Sequence, residues 1–257
     1  ARMDSRSRRC IDVADAASVG TSRRSRVDTT AYRPQRAICF MTDDAFDTLA
    51  RFGVVPVVTV ERLDMALPLA DALIDGGLPV AEITFRTAVA ADVIARLSKE
   101  RPELFVGAGT VLTIDNLHAA KECGARFGVA PGLNPELVAE AARIGLPFVP
   151  GVATPSEIER GLSLGCRWLK LFPAALLGGP ALVNVLAGPY GHTGVRFMPS
   201  GGVTADSLAA YLACPLVAAV GGTWIAKKES LATGDWNEVR NRCREARETV
   251  RSVRGTT

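Results

Sequence analysis

Short apolar runs alternate with longer amphipathic segments from about residue 53 onward. Runs rich in valine, isoleucine and phenylalanine are typical of buried β-strands, and longer amphipathic segments are typical of helices. The predicted strands begin near Val54, Val80, Phe105, Phe127, Pro147, Trp168, Val195 and Leu216. Eight near-continuous apolar strands, each followed by a helix, indicate a parallel sheet that closes into a (β/α)8 TIM barrel. An open, doubly wound sheet is the alternative architecture.

The segments between the predicted strands carry signals that start and stop helices. Four residues are placed to cap helix N-termini: Thr113, Asn134, Thr154 and Thr204. The Thr154 cap has further support, because Pro155 would take the first helical position and Glu157 would complete a capping box. Glycines stand where many of these helices should end: Gly76, Gly124, Gly145 and Gly165. A short leading helix is predicted in residues 42–53, near the bottom of the barrel, and a last helix around residues 236–251.

Two of the predicted strands carry charged side chains on one face. Glu82 and Arg86 share one face of the second strand, while Trp168, Lys170 and Phe172 share one face of the sixth. The opposite faces are apolar and suit the helix layer, so the charged faces should point into the lumen. The second and sixth of eight strands are diametrically opposite, so Glu82 and Lys170 should face each other. Either they form a structural ion pair, or the Lys170 amine takes part in chemistry.

Glycine pairs end the seventh and eighth predicted strands. They are Gly201 and Gly202 in PSGGV, and Gly221 and Gly222 in VGGTW. TIM barrels commonly bind phosphate at these two places, and glycine lets backbone N–H groups approach an anion closely. The stretch from Gly221 to Thr223 would also open a short helix whose N-terminus favours negative charge. Together the two pairs predict a phosphate site.

Composition limits the other kinds of chemistry. The six cysteines are scattered without a CxxC pair, and His118 and His192 are the two histidines, so a metal centre or a serine–histidine relay is not expected. His118 is predicted on a helix surface and His192 in a loop. Thr110, at the end of the third strand, is either a substrate contact or part of a helix-entry turn. No apolar run reaches the roughly 18 residues of a membrane span, so we expect a cytoplasmic protein with reduced thiols.

Residues 1–40 differ in composition from the rest of the chain. They contain nine arginines, no lysine and four aspartates, a net charge of +5, whereas the remaining residues carry −2. Few large apolar residues and no periodicity predict a disordered basic arm, followed by one globular domain over residues 41–257. A polyanion-binding arm and an organelle-targeting peptide are two interpretations of it. The interpretation we favour is upstream sequence included by a mistaken start, with Met41 as the natural first residue.

Seven ordered motifs lie between Val54 and Trp224: GGLPVAEITFRT, VGAGTVL, APGLN, PGVATPSE, WLKLFPA, PSGGV and VGGTW. They resemble the 2-keto-3-deoxy-6-phosphogluconate (KDPG) aldolase family, which also includes 4-hydroxy-2-oxoglutarate aldolases. The resemblance implies a class I aldolase, a lyase that cleaves a 2-keto-3-deoxy-6-phospho sugar acid to pyruvate and glyceraldehyde 3-phosphate through a lysine Schiff base. It also implies an Entner–Doudoroff enzyme that needs no metal or other cofactor and assembles as a homotrimer.

The same resemblance assigns roles residue by residue. Lys170 matches the Schiff-base lysine, Glu82 the acid/base carboxylate, and Arg86 the group that binds the pyruvate carboxylate. Four residues match substrate contacts or walls of the site: Thr110, Pro131, Thr154 and Phe172. Five residues match the phosphate pocket: Gly201, Gly202, Gly221, Gly222 and Thr223. Ala175 departs from the acidic residue that the family often has after FPA, which leaves the fine choice of substrate open.

The residue types also fit this chemistry without the resemblance. A protonated imine stabilises the carbanion that carbon–carbon cleavage leaves, and lysine is the side chain that supplies a primary amine for it. Aldolases acting on 2-keto-3-deoxy-6-phosphogalactonate or on 4-hydroxy-2-oxoglutarate are the nearest alternatives. A phosphate-binding barrel enzyme, such as an epimerase or a decarboxylase, would use Lys170 only as a charge. A noncatalytic barrel recruiting polyanions through the arm is a third class, although no nucleic-acid or membrane partner is expected.

Deleting residues 1–40 should leave fold and activity nearly intact, because the arm lacks the apolar surface needed to dock on a barrel. The check is to compare the melting temperature and the catalytic rate of the truncated chain with those of the full chain. A large drop in melting temperature would show that the arm packs against the domain.

Overall fold

Nine strands form the β-structure of residues 43–255, the part of the chain that the computed structural model describes. The strands are β1 Val54–Val58, β2 Val80–Thr84, β3 Phe105–Gly109, β4 Gly128–Val129, β5 Phe148–Val149, β6 Gly151–Val152, β7 Trp168–Leu171, β8 Arg196–Phe197 and β9 Val220–Gly222. β5 and β6 are the two halves of one barrel strand that is interrupted at Pro150; each complete barrel strand is called a stave below. The nine strands therefore make eight staves, each beginning within four residues of its predicted start. The predicted arm over residues 1–40 lies outside the described residues.

The staves pair in a closed parallel ring. β1 pairs with β2 on one side and with β9 on the other, and the order runs on from β2 through β3 and β4 to β5. β6, β7 and β8 form the other arc, and bridges from Phe197 to Val217 and from Ser200 to Gly221 join it to the last stave. An open sheet would leave its edge strands unpaired. The predicted TIM barrel is therefore confirmed, and the doubly wound alternative is wrong.

Helices surround this ring in the order that the sequence predicts. Their bounds are α1 Asp43–Phe52, α2 Ala66–Asp75, α3 Ala90–Glu100, α4 Ile114–Glu122, α5 Pro135–Ile144, α6 Pro155–Ser163, α7 Gly179–Tyr190, α8 Ala205–Leu212, α9 Lys228–Thr233 and α10 Trp236–Arg254. α2 to α8 each follow one stave, α9 is a short insertion after β9, and α10 completes the outer layer. None of these helices is both long and apolar enough to cross a membrane.

The predicted helix caps are confirmed. The side chains of Thr113, Asn134 and Thr204 each accept a hydrogen bond from a backbone N–H two or three residues ahead. Thr154 and Glu157 form the full capping box, in which each side chain bonds the other residue's backbone N–H. These caps begin four helices within a few residues of the ends of their staves, so they hold the loops at which a barrel enzyme carries its chemistry.

Helices α1 and α10 close the end of the barrel at which the staves begin. The ring of Phe46 in α1 stacks on Trp168, the first residue of β7, with the ring centroids 5.1 Å apart. Arg254 in α10 donates hydrogen bonds to the carbonyl oxygens of Ala50 in α1 and of Val217 just before the last stave. Burial lowers the pKa of the Arg254 guanidinium. The leading helix thus packs at the bottom of the barrel, as predicted.

Candidate active site

Lys170 and Glu82 meet inside the barrel. Lys170 projects from β7 and Glu82 from β2, the sixth and second staves of the ring, and Lys170 Nζ donates a hydrogen bond to Glu82 Oε1 at 3.3 Å. Glu82 is fully buried, and Lys170 is 5% exposed. This is the arrangement that the alternation of side chains along the two strands predicts.

The carboxylate of Glu82 is only half satisfied by the protein. Its Oε2 atom is buried and has no hydrogen-bond partner among the described residues. A buried carboxylate oxygen without a donor carries a desolvation cost that a purely structural ion pair would be expected to avoid. The geometry therefore leaves one oxygen free to accept a proton from a molecule beside it.

Phe172 covers the lysine and joins it to the glycine loop after β8. Lys170 Nζ lies 5.6 Å from the centroid of the Phe172 ring, within the range of a cation–π contact. Gly201, whose φ of 88° favours glycine, also lies against this ring. A Cβ on Gly201 would lie 2.9 Å from Cδ2 of Phe172. Phe172, predicted as a wall of the site, thus lies against Gly201, predicted for the phosphate pocket.

Arg86 and Thr110 form a second polar pair at the same end of the barrel. Arg86 stands in the turn just after β2, is exposed, and donates from Nε to Thr110 Oγ1 at 3.2 Å. Thr110 directly follows β3 and has a φ of 55°, a left-handed conformation that is rare for a β-branched residue. Such a conformation costs about 1–3 kcal/mol and persists where the surroundings impose it. The hydrogen bond fixes one side of the guanidinium, and its terminal nitrogens remain available for a carboxylate.

The two predicted glycine pairs lie next to each other at the ends of neighbouring staves. Gly201 and Gly202 follow β8 with φ angles of 88° and 77°, which only glycine adopts readily. Gly221 and Gly222 are the last residues of β9. The prediction that Gly221 to Thr223 open a helix is wrong, because the strand continues through Gly222 and the next helix, α9, begins only at Lys228. Thr223 is exposed beyond the end of the strand.

Ser200 is a polar residue of this region that the sequence analysis missed. It is buried, with 5% exposure, and it bridges to Gly221 between the last two staves. A Cβ on Gly221 would lie 2.9 Å from Ser200 Oγ, so the hydroxyl stands against the glycine of the neighbouring stave. Its position immediately before the first glycine pair, in PSGGV, was the available signal.

Thr154 and Pro131 lie at the same end of the barrel but are not joined to the central pair by any hydrogen bond or ion pair among the described residues. The Thr154 hydroxyl is engaged with Glu157, whose pKa is lowered by hydrogen bonds from the Ala153 backbone N–H and from Thr154. Pro131 is half-buried in the loop after β4. A Cβ on Gly151 would come within 2.6 Å of the backbone of this loop at Gly132, so the loop packs directly on the fifth stave.

The two histidines lie outside this group, as predicted. His118 in α4 pairs with Glu140 of α5 at 2.5 Å on the outer layer. A hydrogen bond to the Arg143 guanidinium, and to a smaller extent one to His118, lowers the pKa of Glu140 to about 2. His192 is exposed in a short 3-10 turn over Gly191–Thr193.

A separate cleft of about 690 Å³ opens at the opposite end of the barrel. It lies between α1 and the starts of the third to fifth staves, with Phe52, Phe105 and Leu146 among its lining residues. Neither Lys170 nor Glu82 lines this cleft, so the cleft is separate from the buried amine and carboxylate described above.

Comparisons with known proteins show what the chain is similar to. Residues 46–242 match the family model for KDPG and KHG aldolase. The chain is 48% identical over 194 residues to a 2-dehydro-3-deoxy-phosphogluconate aldolase of Treponema pallidum (strain Nichols), covering 76% of this chain and 91% of the relative. It is 40% identical over 193 residues to the KHG/KDPG aldolase of Escherichia coli (strain K12), covering 75% and 90%. The solved KDPG aldolase of Legionella pneumophila, with pyruvate captured as a covalent carbinolamine, has a TM-score of 0.76 at 37% identity, covering 79% of this chain and 97% of that one.

The left-handed backbone at Thr110 should reverse the usual stability order of alanine and glycine. Thr110→Gly should unfold at a higher temperature than Thr110→Ala, by about 1 kcal/mol in free energy, because both lack the hydroxyl and only glycine accepts this φ freely. Ala95→Gly on the exposed face of α3 is the control and should be less stable than the parent by about 0.5–1 kcal/mol. If Thr110→Ala proves the more stable of the two, the backbone at residue 110 is not strained.

Proposed function

The chain belongs to the KDPG and KHG aldolase family, and from this membership we propose how it cleaves 2-keto-3-deoxy-6-phosphogluconate to pyruvate and glyceraldehyde 3-phosphate. Lys170 is the amine that forms the Schiff base, and Glu82 is the group that moves the protons. The observation that carries this proposal is the contact between a buried primary amine and a buried carboxylate that keeps one oxygen without a protein donor.

The reaction begins with the Lys170 amine. Its lone pair attacks the C2 carbonyl of the substrate, and loss of water from the resulting carbinolamine leaves a protonated imine. Glu82 then accepts the proton of the C4 hydroxyl, the C3–C4 bond breaks, and glyceraldehyde 3-phosphate departs. The electron pair of the broken bond moves into the imine and forms an enamine. Protonation of its C3 carbon and addition of water release pyruvate and restore the amine.

This order of steps agrees with the geometry around the pair. Glu82 lies within hydrogen-bond reach of the nitrogen, so one carboxylate can serve the carbinolamine and, with its second oxygen, the substrate hydroxyl. The relative from Legionella pneumophila holds pyruvate as a carbinolamine, which is the adduct of an amine and a carbonyl. That adduct is the first intermediate proposed for Lys170.

Charged groups at the two ends of the substrate would set its orientation. We assign the substrate carboxylate to Arg86. Its guanidinium is held by the hydrogen bond from Nε to Thr110, which leaves its terminal N–H groups available for a bidentate contact. We assign the phosphate to the glycine loop after β8 and to the end of β9, formed by Gly201, Gly202, Gly221, Gly222 and Thr223; the Gly221 N–H itself already donates to the carbonyl oxygen of Pro199. Phe172 would form the wall beside the imine, since its ring already lies over Lys170 Nζ.

Pro131 and Thr154 complete the proposed site as walls at the ends of the fourth and fifth staves. Both come shortly after the end of a strand, on the face where barrel enzymes bind their substrates. The Thr154 hydroxyl already caps α6, so we expect it to shape the loop more than to bind the substrate tightly.

We propose that the protein is a homotrimer built by contact between two different surfaces. Leu112 and Ile114, around the start of α4, are 56% and 43% exposed, while Leu176 and Val185, before and within α7, are 87% and 71% exposed. Exposed apolar residues that form a contiguous patch mark sites of protein–protein contact, and we take each of these two pairs as such a patch. Because the two patches differ, each would cover the other on a neighbouring copy, which closes into a ring.

A cytoplasmic location is a further part of the proposal, and it rests on the cysteines. Cys214 and Cys243 are buried thiols, and burial raises the pKa of Cys243 to about 12. Both therefore serve as small apolar core residues, which is common in proteins of a reducing compartment.

Lys170→Arg tests the proposed chemistry directly. The variant keeps a cation beside Glu82 but lacks a primary amine, so a structural ion pair would tolerate it and imine chemistry would not. We expect a folded protein, judged by circular dichroism, without measurable cleavage of 2-keto-3-deoxy-6-phosphogluconate. Cleavage at the wild-type rate would contradict the proposal.

Glu82→Gln is the matched variant for proton transfer. It leaves the amine in place, so borohydride should still trap pyruvate on Lys170, more slowly, while turnover falls by about 10²- to 10⁴-fold. Mass spectrometry of the trapped protein identifies the modified residue. Trapping of pyruvate on another lysine would show that the active site lies elsewhere in the protein.

Two charge-introducing double variants test the ring. Leu176→Lys with Val185→Lys, and Leu112→Lys with Ile114→Lys, should each give monomers in light scattering. An equimolar mixture of the two should recover dimers, because each variant supplies the patch that the other has lost. If one of the two patches paired with itself, the double variant that keeps this patch would form dimers without the other variant, and trimers in either variant alone would exclude these surfaces.

A further inference from the structure

Gly109, the last residue of β3, lies against the carboxylate of Glu82. In the parallel ladder between β2 and β3, Gly109 pairs with Thr84, two residues beyond Glu82. A Cβ on Gly109 would lie 2.6 Å from Cγ and 2.8 Å from Cδ of Glu82, and closer still to Oε1. Oε1 is the oxygen that accepts the hydrogen bond from Lys170.

The backbone does not explain why this residue is glycine. Gly109 is in a regular strand and is absent from the residues with positive φ, so its conformation suits any amino acid. The carboxylate is therefore what excludes a side chain. A real Cβ essentially never approaches another heavy atom within 3.0 Å, so a larger residue would force Glu82 to move.

We infer that Gly109 is a positioning residue for the reaction, because its missing side chain determines where the Glu82 carboxylate lies relative to the Lys170 amine. This inference rests on the proposed roles of Lys170 and Glu82. Glu82 is fully buried and cannot turn toward solvent, so a methyl group at residue 109 would rotate the carboxylate within the lumen and alter the 3.3 Å contact. A displacement of about 1 Å at a catalytic group can cost about 10²-fold in rate.

Gly109→Ala should therefore lower kcat by about 10²-fold and change KM little, since Arg86 and the glycine pairs that hold the substrate ends are untouched. Borohydride should still trap pyruvate on Lys170 in the variant, because the amine remains. Trapping on Lys170 in the parent chain tests the proposed function by itself, so failure of that step is distinct from failure of this inference. A folded Gly109→Ala variant with the parent kcat would overturn the inference.

Gly107→Ala is the matched control on the same face of the same strand. A Cβ there would lie 2.5 Å from Cε1 and Cε2 of Phe127, an apolar ring, instead of a carboxylate. It should lower the melting temperature while the folded fraction keeps the parent kcat. If kcat falls as far as in Gly109→Ala, general distortion of β3 explains both variants and the inference is wrong. Gly128→Ala, with a Cβ 2.9 Å from the Phe148 ring, replaces it should Gly107→Ala not fold.

Shortening the carboxylate provides the test that does not depend on activity. In a Glu82→Asp background the side chain is one methylene shorter, which makes room for the methyl group at residue 109. Adding Gly109→Ala should then reduce the melting temperature less than it does in the parent, while the double variant stays inactive. If Gly109→Ala alone does not fold, recovery of folding in the double variant supports the inference. An equal loss of stability in both backgrounds contradicts it.

Discussion

A primary amine and a carboxylate buried against each other in the lumen of the barrel are the constraint on which the rest of this structure depends. Each charge costs several kcal/mol to remove from water, and losing one partner of a buried pair costs about 3–5 kcal/mol, so neither Lys170 nor Glu82 is stable there alone. Their surroundings follow from this. A glycine leaves room for the carboxylate, the Phe172 ring faces the ammonium, and the opposite faces of both staves are apolar and pack under helices. The two groups therefore fix each other's position before a substrate arrives.

The two ends of the barrel are constructed in opposite ways. Where the staves finish, Thr110 and the glycine loop after β8 adopt left-handed conformations, and Arg86 is exposed with most of its donors unused. These features cost stability and present groups to a ligand. Where the staves begin, aromatic stacking between Phe46 and Trp168 and the hydrogen bonds of Arg254 satisfy the backbone and bury apolar surface. The stabilising contacts where the staves begin offset the cost of the left-handed backbone where they finish.

The sequence predicted those features that depend on periodicity. The eight staves, the four N-caps and the meeting of Lys170 with Glu82 all follow from alternation along strands and from local capping chemistry. It did not predict features that depend on contacts between loops. The hydrogen bond from Arg86 to Thr110, the buried position of Ser200 and the break at Pro150 each require the relative placement of distant segments. The helix expected at Gly221 does not form for the same reason, because pairing with β1, and for Gly221 a bridge to Ser200, keeps those glycines extended.

The arginines of α10 also join parts of the chain that are far apart in the sequence. Arg254 bonds the carbonyl of Ala50 across 204 residues, and Arg247 bonds that of Phe52 across 195. Contacts of such high sequence separation form late, after shorter loops have closed. At synthesis rates of about 5–20 residues per second, α1 leaves the ribosome roughly 10 to 40 seconds before the helix that caps it. During that interval the last carbonyls of α1 lack these donors, so this end of the barrel is completed only when the final helix emerges.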